Sequence, residues 1–363
     1  MSRDQPGMIA RSRYDVTRAE LTELLDGEPR YRTQQVWRGL YRELADPADI
    51  TVLPRVLREH LDAALPPALI EVTERTSDAG DTVKLLWRLF DGVLIETVLM
   101  LYPDRTTVCI STQAGCAMAC GFCATGQAGF TRHLSTGEIV EQVVRAGRRS
   151  RELGRRLSNV VFMGMGEPLA NLDRVWPAVE RLHDDLGLSA RHLTLSTVGL
   201  VPGIEKLGRE PFMPNLAISL HASHEEQRDA LVPINRKYDL EALIEACKRF
   251  PVKRRSRITF EYVLLKGVND TPEDARRLVK LLDGIKGKIN LLPLNAAPGI
   301  PFERPADGRV DAFAKILADK GLTVSVRKSR GRDIRAACGQ LIEDEGPRAP
   351  ARKSAAQALA EQL

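Results

Sequence analysis

The amino-acid sequence predicts an α/β fold, a parallel sheet rolled into a partial or full TIM-like barrel, preceded by a small helical domain and a β-hairpin. Three observations carry that expectation. Short apolar runs alternate with amphipathic stretches of helical period from residue 106 to residue 326, and such a repeated strand–helix rhythm builds a parallel sheet. Ser135-x-x-Glu138 opens the first of the helical stretches as a capping box. Polar and glycine-rich motifs directly follow the strand candidates, and a barrel of this type keeps its active site at the C-terminal strand ends.

The elements follow in order. Segments 17–25, 33–44 and 57–64 have helical patterning. Within 31–42, Val36 and Leu40, and Trp37 and Tyr41, fall at i, i+4 spacing, which suits a packed helix with arginines outside. Such a domain reads equally as an RNA-gripping module, with arginine for phosphate and aromatics for stacking, and as a plain helical accessory. Segments 83–89 and 93–101 read as strands joined at Asp91-Gly92, a hairpin signal. Strand candidates then lie at 106–112, 159–163, 192–197, 216–220, 257–264, 288–294 and 322–326, with helices at 138–153, 172–186, 240–250, 272–282 and 310–320. The expected organisation is a helical domain over 1–80, a hairpin linker over 81–101, the barrel over 102–331, a loop over 332–342 and a disordered tail over 343–363.

A length of 363 residues allows two or three domains. No apolar run approaches the roughly 18 residues that a membrane helix needs. The first residues lack the apolar region of a secretory signal, so a cytoplasmic chain with reduced cysteines is expected. Fifty-three basic and 48 acidic residues leave a net charge of +5, which permits a nucleic-acid partner without requiring one. Basic residues cluster at 145–156, 253–257 and 327–335. Singly each cluster reads as a solvated face or loop; together with the aromatic-basic stretch 31–42 they admit RNA.

Four of the six cysteines, Cys109, Cys116, Cys120 and Cys123, lie within fifteen residues, which points to metal or redox chemistry. Cys116-x-x-x-Cys120-x-x-Cys123 offers three thiolates among Gly115, Gly121 and Gly126, whose small size lets backbone wrap closely round a cluster. Three thiolates can hold three irons of a cubane and leave the fourth open to a chelating ligand. Structural zinc wants four closed ligands, which the triplet lacks nearby, yet a zinc-stabilised RNA-binding protein without catalysis is the rival from another class. Cys247 reads as core, and His133, His183, His192 and His224 receive no role.

The triplet resembles the signature of the radical S-adenosylmethionine (SAM) superfamily. With Gly164-Met165-Gly166-Glu167-Pro168-Leu169, Ile218-Ser219-Leu220-His221-Ala222 and Ala337-Cys338-Gly339-Gln340-Leu341, the chain resembles the RlmN/Cfr family of RNA methyltransferases from about Tyr31 to Leu341. The resemblance implies a radical SAM barrel with a [4Fe-4S] cluster on Cys116, Cys120 and Cys123. It implies SAM against Gly166, Glu167, Ser196, Ser219, Leu220, His221 and Asn295. It makes Cys338 the methyl carrier on a catalytic loop, Cys109 its transient disulfide partner and Glu96 the proton acceptor. Adenine carbon 2 is electron-poor, so a radical can add where an electron pair cannot attack. One SAM methylates Cys338, and a radical from a second SAM activates that methyl group for addition. Cys109 then attacks Cys338 to release the product. The implied substrates are 23S rRNA near the peptidyl-transferase centre and the tRNA adenosine 3′ of the anticodon, served by a monomer with flavodoxin or ferredoxin as reductant. A Cfr-type enzyme methylating carbon 8 shares every motif quoted.

Overall fold

The computed structural model describes residues 12–253 and 256–341. The expected tail over 343–363, residues 1–11, and Arg254 and Arg255 of one basic cluster lie outside the described residues.

The strands are β1 (Ile70–Thr76), β2 (Thr82–Arg88), β3 (Leu94–Leu101), β4 (Thr106–Cys109), β5 (Gln113–Gly115), β6 (Phe130–His133), β7 (Asn159–Phe162), β8 (Leu193–Thr197), β9 (Asn215–Ser219), β10 (Ile258–Leu264), β11 (Gly287–Pro293) and β12 (Val324–Val326). Ten of them form one sheet in the order β1-β2-β3-β4-β7-β8-β9-β10-β11-β12, and β5 and β6 pair separately. Pairing is antiparallel from β1 to β4 and parallel from β4 to β12. All seven expected barrel strands are present.

The sheet stays open, which makes this a partial barrel. Closure needs β12 to reach β4, but β3 already occupies that edge, with Val98 opposite Cys109 and Leu101 opposite Thr106. The hairpin is therefore part of the sheet and not only a linker. A third antiparallel strand, β1, joins it; its alternation Ile-Glu-Val-Thr-Glu-Arg-Thr is polar and half exposed, so it carries no apolar-run signal. The C-terminal loop bridges the gap: Arg330 pairs with Asp81 and donates to the Leu101 carbonyl at 3.3 Å, and Asp333 accepts the Asp78 N–H at 2.7 Å.

Strand β4 ends three residues early, at Cys109. Beyond it Gln142 clasps Ser111 from both sides, accepting its N–H at 2.8 Å and donating to its carbonyl at 2.9 Å. The chain is turned out of the sheet toward the cysteine segment. Gln142 sits on the helix Thr136–Glu152, whose N-terminus shows the expected capping box with Ser135 and Glu138.

The helical domain comprises Arg18–Leu24, Tyr31–Arg38 continued by a π turn over Gly39–Glu43, and Arg55–Ala64. Val36, Trp37, Leu40 and Tyr41 are all buried, so the i, i+4 pairing forms core. Trp37 Nε1 donates to Asp185 at 2.8 Å and Tyr41 packs edge-on against Tyr14. These two aromatics are spent on the interior and offer no face to a base. Much of the cluster 145–156 is likewise engaged within the protein. Arg148 makes a two-pronged bond to Asp46 at 2.9 and 2.7 Å, Arg149 pairs with Glu74 at 2.7 Å, and Arg151 donates to the Arg42 and Glu43 carbonyls. The expectation of a solvated or RNA-facing surface is corrected in part: Arg148 and Arg151 tie the helical domain to this helix and Arg149 ties the helix to β1, while Arg151 and Arg156 remain exposed. Among the described residues no helix is long and apolar enough to cross a membrane.

Candidate active site

The strand ends converge as the sequence predicts. Cys116, Cys120, Cys123, Gly166, Glu167, Ser196, Ser219, His221, Asn295 and Cys338 line one solvent-open cavity. Parallel strands place their C-terminal loops on one rim, which gathers residues more than two hundred positions apart.

Glu167 follows β7 and is buried. Its Oε1 accepts the Leu169 N–H at 3.0 Å, its Oε2 accepts the Val198 N–H at 2.8 Å, and its own N–H donates to Gln113 Oε1 at 2.8 Å. Burial pushes its carboxyl up to about 7, with the amide hydrogen bonds pulling the other way. The carboxylate is thus fixed in aim by amides from two loops, with further lone pairs left for a ligand.

His221 follows β9 with φ +59, a conformation few non-glycine residues adopt. Its Nδ1 accepts the Val263 N–H at 3.0 Å and its ring meets Phe122 edge-on at 4.6 Å. Burial, with Arg228 adding repulsion, lowers its pKa to about 3, so the ring is neutral. With Nδ1 accepting, Nε2 must carry the proton and can donate. Ser196 Oγ and Ser219 Oγ lie 3.4 Å apart on neighbouring strands.

The three clustered cysteines share the cavity lining with Arg327. Burial pushes the Cys116 thiol up to about 12 and Cys120 well above its ordinary value. Three thiols desolvated together are poor thiolates unless a metal supplies the charge, and a bound cation deprotonates a coordinating thiol outright. Among the described residues no three His, Cys, Asp or Glu side chains gather closely enough to hold a single ion. Three thiols lining one cavity form a donor set that fits a cluster whose irons each take one sulfur.

Cys338 is the exposed cysteine of the six, all of them free thiols. It lines the main cavity and also a smaller one shared with Cys109, Val98, Met100, Tyr102 and Arg330. Cys338 thus stands in the wall between the cluster cysteines and Cys109. Burial raises the Cys109 thiol to about 12, and Arg327, which lines both cavities, opposes the rise. The loop around Cys338 is seated on the cysteine segment: Ala124 N–H donates to the Gly339 carbonyl at 2.9 Å and Thr125 Oγ1 to the Leu341 carbonyl at 2.5 Å.

Two expected site residues lie elsewhere. Leu220 is fully buried and lines neither cavity; only its backbone serves the site, donating to the Glu261 carbonyl and accepting from Arg228. Glu96, on β3, forms a buried ion pair with Lys84 of β2 at 2.8 Å and also lines neither cavity. Three residues with no sequence signal shape the site. Fully buried Arg228 ties together the carbonyls of Leu220, Val198 and Ser219 and the Asn235 side chain. Gln113 sets the Glu167 turn, and Glu261 adds a second carboxylate to the cavity wall. A buried polar residue looks in sequence like any surface one.

Residues 110–282 match the radical SAM superfamily. The chain is similar to proteins named dual-specificity RNA methyltransferase RlmN. It is 49% identical over 338 residues to that of Anaeromyxobacter dehalogenans, covering 91% of each chain. It is 50% identical over 323 residues to that of Geobacter sulfurreducens, covering 87% of each. Among solved structures, a radical SAM methyltransferase from Sphaerobacter thermophilus superposes with a TM-score of 0.88 at 51% identity, covering 91% of this chain and 98% of that one. Likeness of this depth along nearly the whole chain, joined to the shared cavity and its cysteines, makes this protein a member of the RlmN family of radical SAM methyltransferases.

Proposed function

We propose that this protein is a SAM-dependent RNA methyltransferase that methylates carbon 2 of adenine in 23S rRNA and in tRNA, with Cys338 as the methyl carrier. The position of Cys338 carries the proposal, since it faces the cluster cysteines on one side and Cys109 on the other. A [4Fe-4S] cluster with SAM on its open iron would supply one-electron cleavage of the sulfonium. Cys116, Cys120 and Cys123 would hold it.

The chain's own residues then divide the work. Glu167 presents oriented carboxylate oxygens to the amino group of SAM, and Ser196, Ser219 and the Nε2–H of His221 line the rest of its pocket. Cys338 accepts a methyl group by attack of its sulfur on the sulfonium carbon, which releases S-adenosylhomocysteine. In the smaller cavity Cys109 attacks the Cys338 sulfur while the transferred carbon still joins that sulfur to the base. The S–S bond forms as the S–C bond breaks, the carbon takes up a proton to become the methyl group and the product leaves. The oxidation to disulfide is matched by reduction of the second SAM to methionine and 5′-deoxyadenosine. Glu96 is proposed as proton acceptor on family resemblance, a duty that requires its carboxylate to leave Lys84. We assign the reduction to a flavodoxin or ferredoxin, the working unit to a monomer and the place to the cytoplasm.

Anaerobic incubation of unmodified rRNA and tRNA with methyl-labelled SAM tests the reading. Nuclease digestion and mass spectrometry should return 2-methyladenosine. Product at carbon 8 would make this a Cfr-type enzyme, and no product from either RNA would sink the proposal. Cys338→Ala should keep its iron and transfer nothing, whereas Cys109→Ala should trap protein covalently on RNA.

A further inference from the structure

The two cavities share a short wall, and one polar side chain in it is only half used. Asn295, just past β11, is 7% exposed and lines both cavities. Its Nδ2 donates to the Cys338 carbonyl at 3.1 Å. Its Oδ1 is buried and has no hydrogen-bond partner among the described residues. The orientation is chemically fixed, because turning the amide over would set oxygen against the carbonyl oxygen. A buried acceptor left open costs stability and asks for a ligand. The side chain on the next residue's neighbourhood makes the same join: Gln340 donates to the Ala296 carbonyl at 2.6 Å, so the strand exit and the cysteine loop are stitched at two points.

The resemblance already sets Asn295 against SAM; beyond that contact, we propose that Asn295 is a positioning residue that couples the cofactor to the methyl carrier, its Nδ2 holding the Cys338 carbonyl while its open Oδ1 accepts an N–H or O–H of SAM. This rests on the reading of the main cavity as the SAM pocket. Filling that pocket then fixes the loop on which Cys338 rides. The chemistry needs such a link, because the sulfur must stand in line with the sulfonium carbon and small misplacement is costly in rate. Coupling of this kind is reciprocal, so ordering the loop also tightens the cofactor.

The test uses iron-loaded full-length protein under anaerobic conditions, with S-adenosylhomocysteine as the probe because it has no methyl group to give. Equilibrium dialysis measures binding, and hydrogen exchange over residues 336–341 measures loop opening. In the unaltered protein the probe should slow exchange about two- to tenfold, the worth of one net hydrogen bond. Asn295→Asp keeps an acceptor toward the cofactor but sets an oxygen against the Cys338 carbonyl. It should bind the probe, yet its loop should no longer respond. Asn295→Ser, too short to span both partners, is run beside it and read in the same way. Equal protection of the loop in wild type and both variants would overturn the inference, as would a wild-type loop indifferent to bound probe; the SAM pocket would survive either result. Loss of all binding in both variants would also overturn it, since one coupling hydrogen bond removes no more than about tenfold in affinity. Failure of the iron-loaded wild type to bind the probe would remove the SAM pocket and the inference together.

Discussion

Gly166 offers the sharpest check on how the site is built. It stands immediately before Glu167 at φ +100, and a Cβ added there would lie 2.5 Å from Gln113 Cβ, 2.7 Å from its Cγ and 2.8 Å from its backbone N. Two costs follow for Gly166→Ala. Positive φ costs an L residue about 1–2 kcal/mol. Overpacking a close contact that includes backbone costs about 1–3 kcal/mol more, for a total of about 2–5 kcal/mol. Gly80→Ala separates the two, because Gly80 has φ +66 and nothing within 4 Å of its added Cβ. It should show the conformational cost alone, about 1 kcal/mol. Urea denaturation of both variants, with unchanged slopes, gives the comparison. Since Gln113 accepts the Glu167 N–H, pushing it away should also weaken S-adenosylhomocysteine binding. If Gly166→Ala is no more destabilised than Gly80→Ala, and binds the probe as the wild type does, the close packing of Gln113 on the Glu167 turn is not what holds the carboxylate.

Stability of the cofactor-free protein should have two pH limbs of opposite sign. Glu167, raised to about 7, contributes stability below its unfolded value that is lost as pH rises through 7, on the order of 3 kcal/mol, and Glu167→Gln should flatten that limb. His221, lowered to about 3, contributes stability above its unfolded value that is lost as pH falls toward 3, and His221→Gln should flatten the acid limb in urea melts across pH. Lys84→Met leaves Glu96 without its buried cation and should cost about 3–5 kcal/mol, most of which Lys84→Met with Glu96→Leu recovers; a cost below about 1 kcal/mol would refute the pair as a buried one. Arg148→Ala should expose the helical domain to limited proteolysis while leaving RNA affinity within about twofold, since its two-pronged bond to Asp46 is internal. A tenfold drop in RNA affinity with unchanged proteolysis would return that arginine cluster to the RNA surface.

Much of the site was legible because its signals are local. The triplet of cysteines needs only spacing. The alternation of strands and helices needs only periodicity, and it predicts the rim on which Glu167, Ser196, Ser219, His221 and Asn295 meet. The signal failed where a side chain's environment is set from afar. Leu220 belongs to the same motif as Ser219 and His221, but the chain leaving β9, with His221 at positive φ, turns it into the core between two residues that line the cavity. The arginines of 145–156 look in sequence like a nucleic-acid patch, yet their carboxylate and carbonyl partners lie in other segments. Glu96 sits in the polar slot of an apolar strand, and Lys84 on the facing strand claims it.

Spacing and period within a window of a dozen residues thus suffice for the class of fold, the cysteine triplet proposed to hold the cluster and the end of the barrel on which the candidate site gathers. Nothing local says that β3 takes the edge of β4 and keeps the barrel open, or that Asp46 and Arg148 meet across 102 positions of chain. Nor does it say that Cys338 comes to stand in the wall between Cys109 and the cluster cysteines. Those outcomes depend on which surfaces pack once the whole chain has folded, because hydrogen bonds and ion pairs act over a few ångströms in space whatever their separation along the chain.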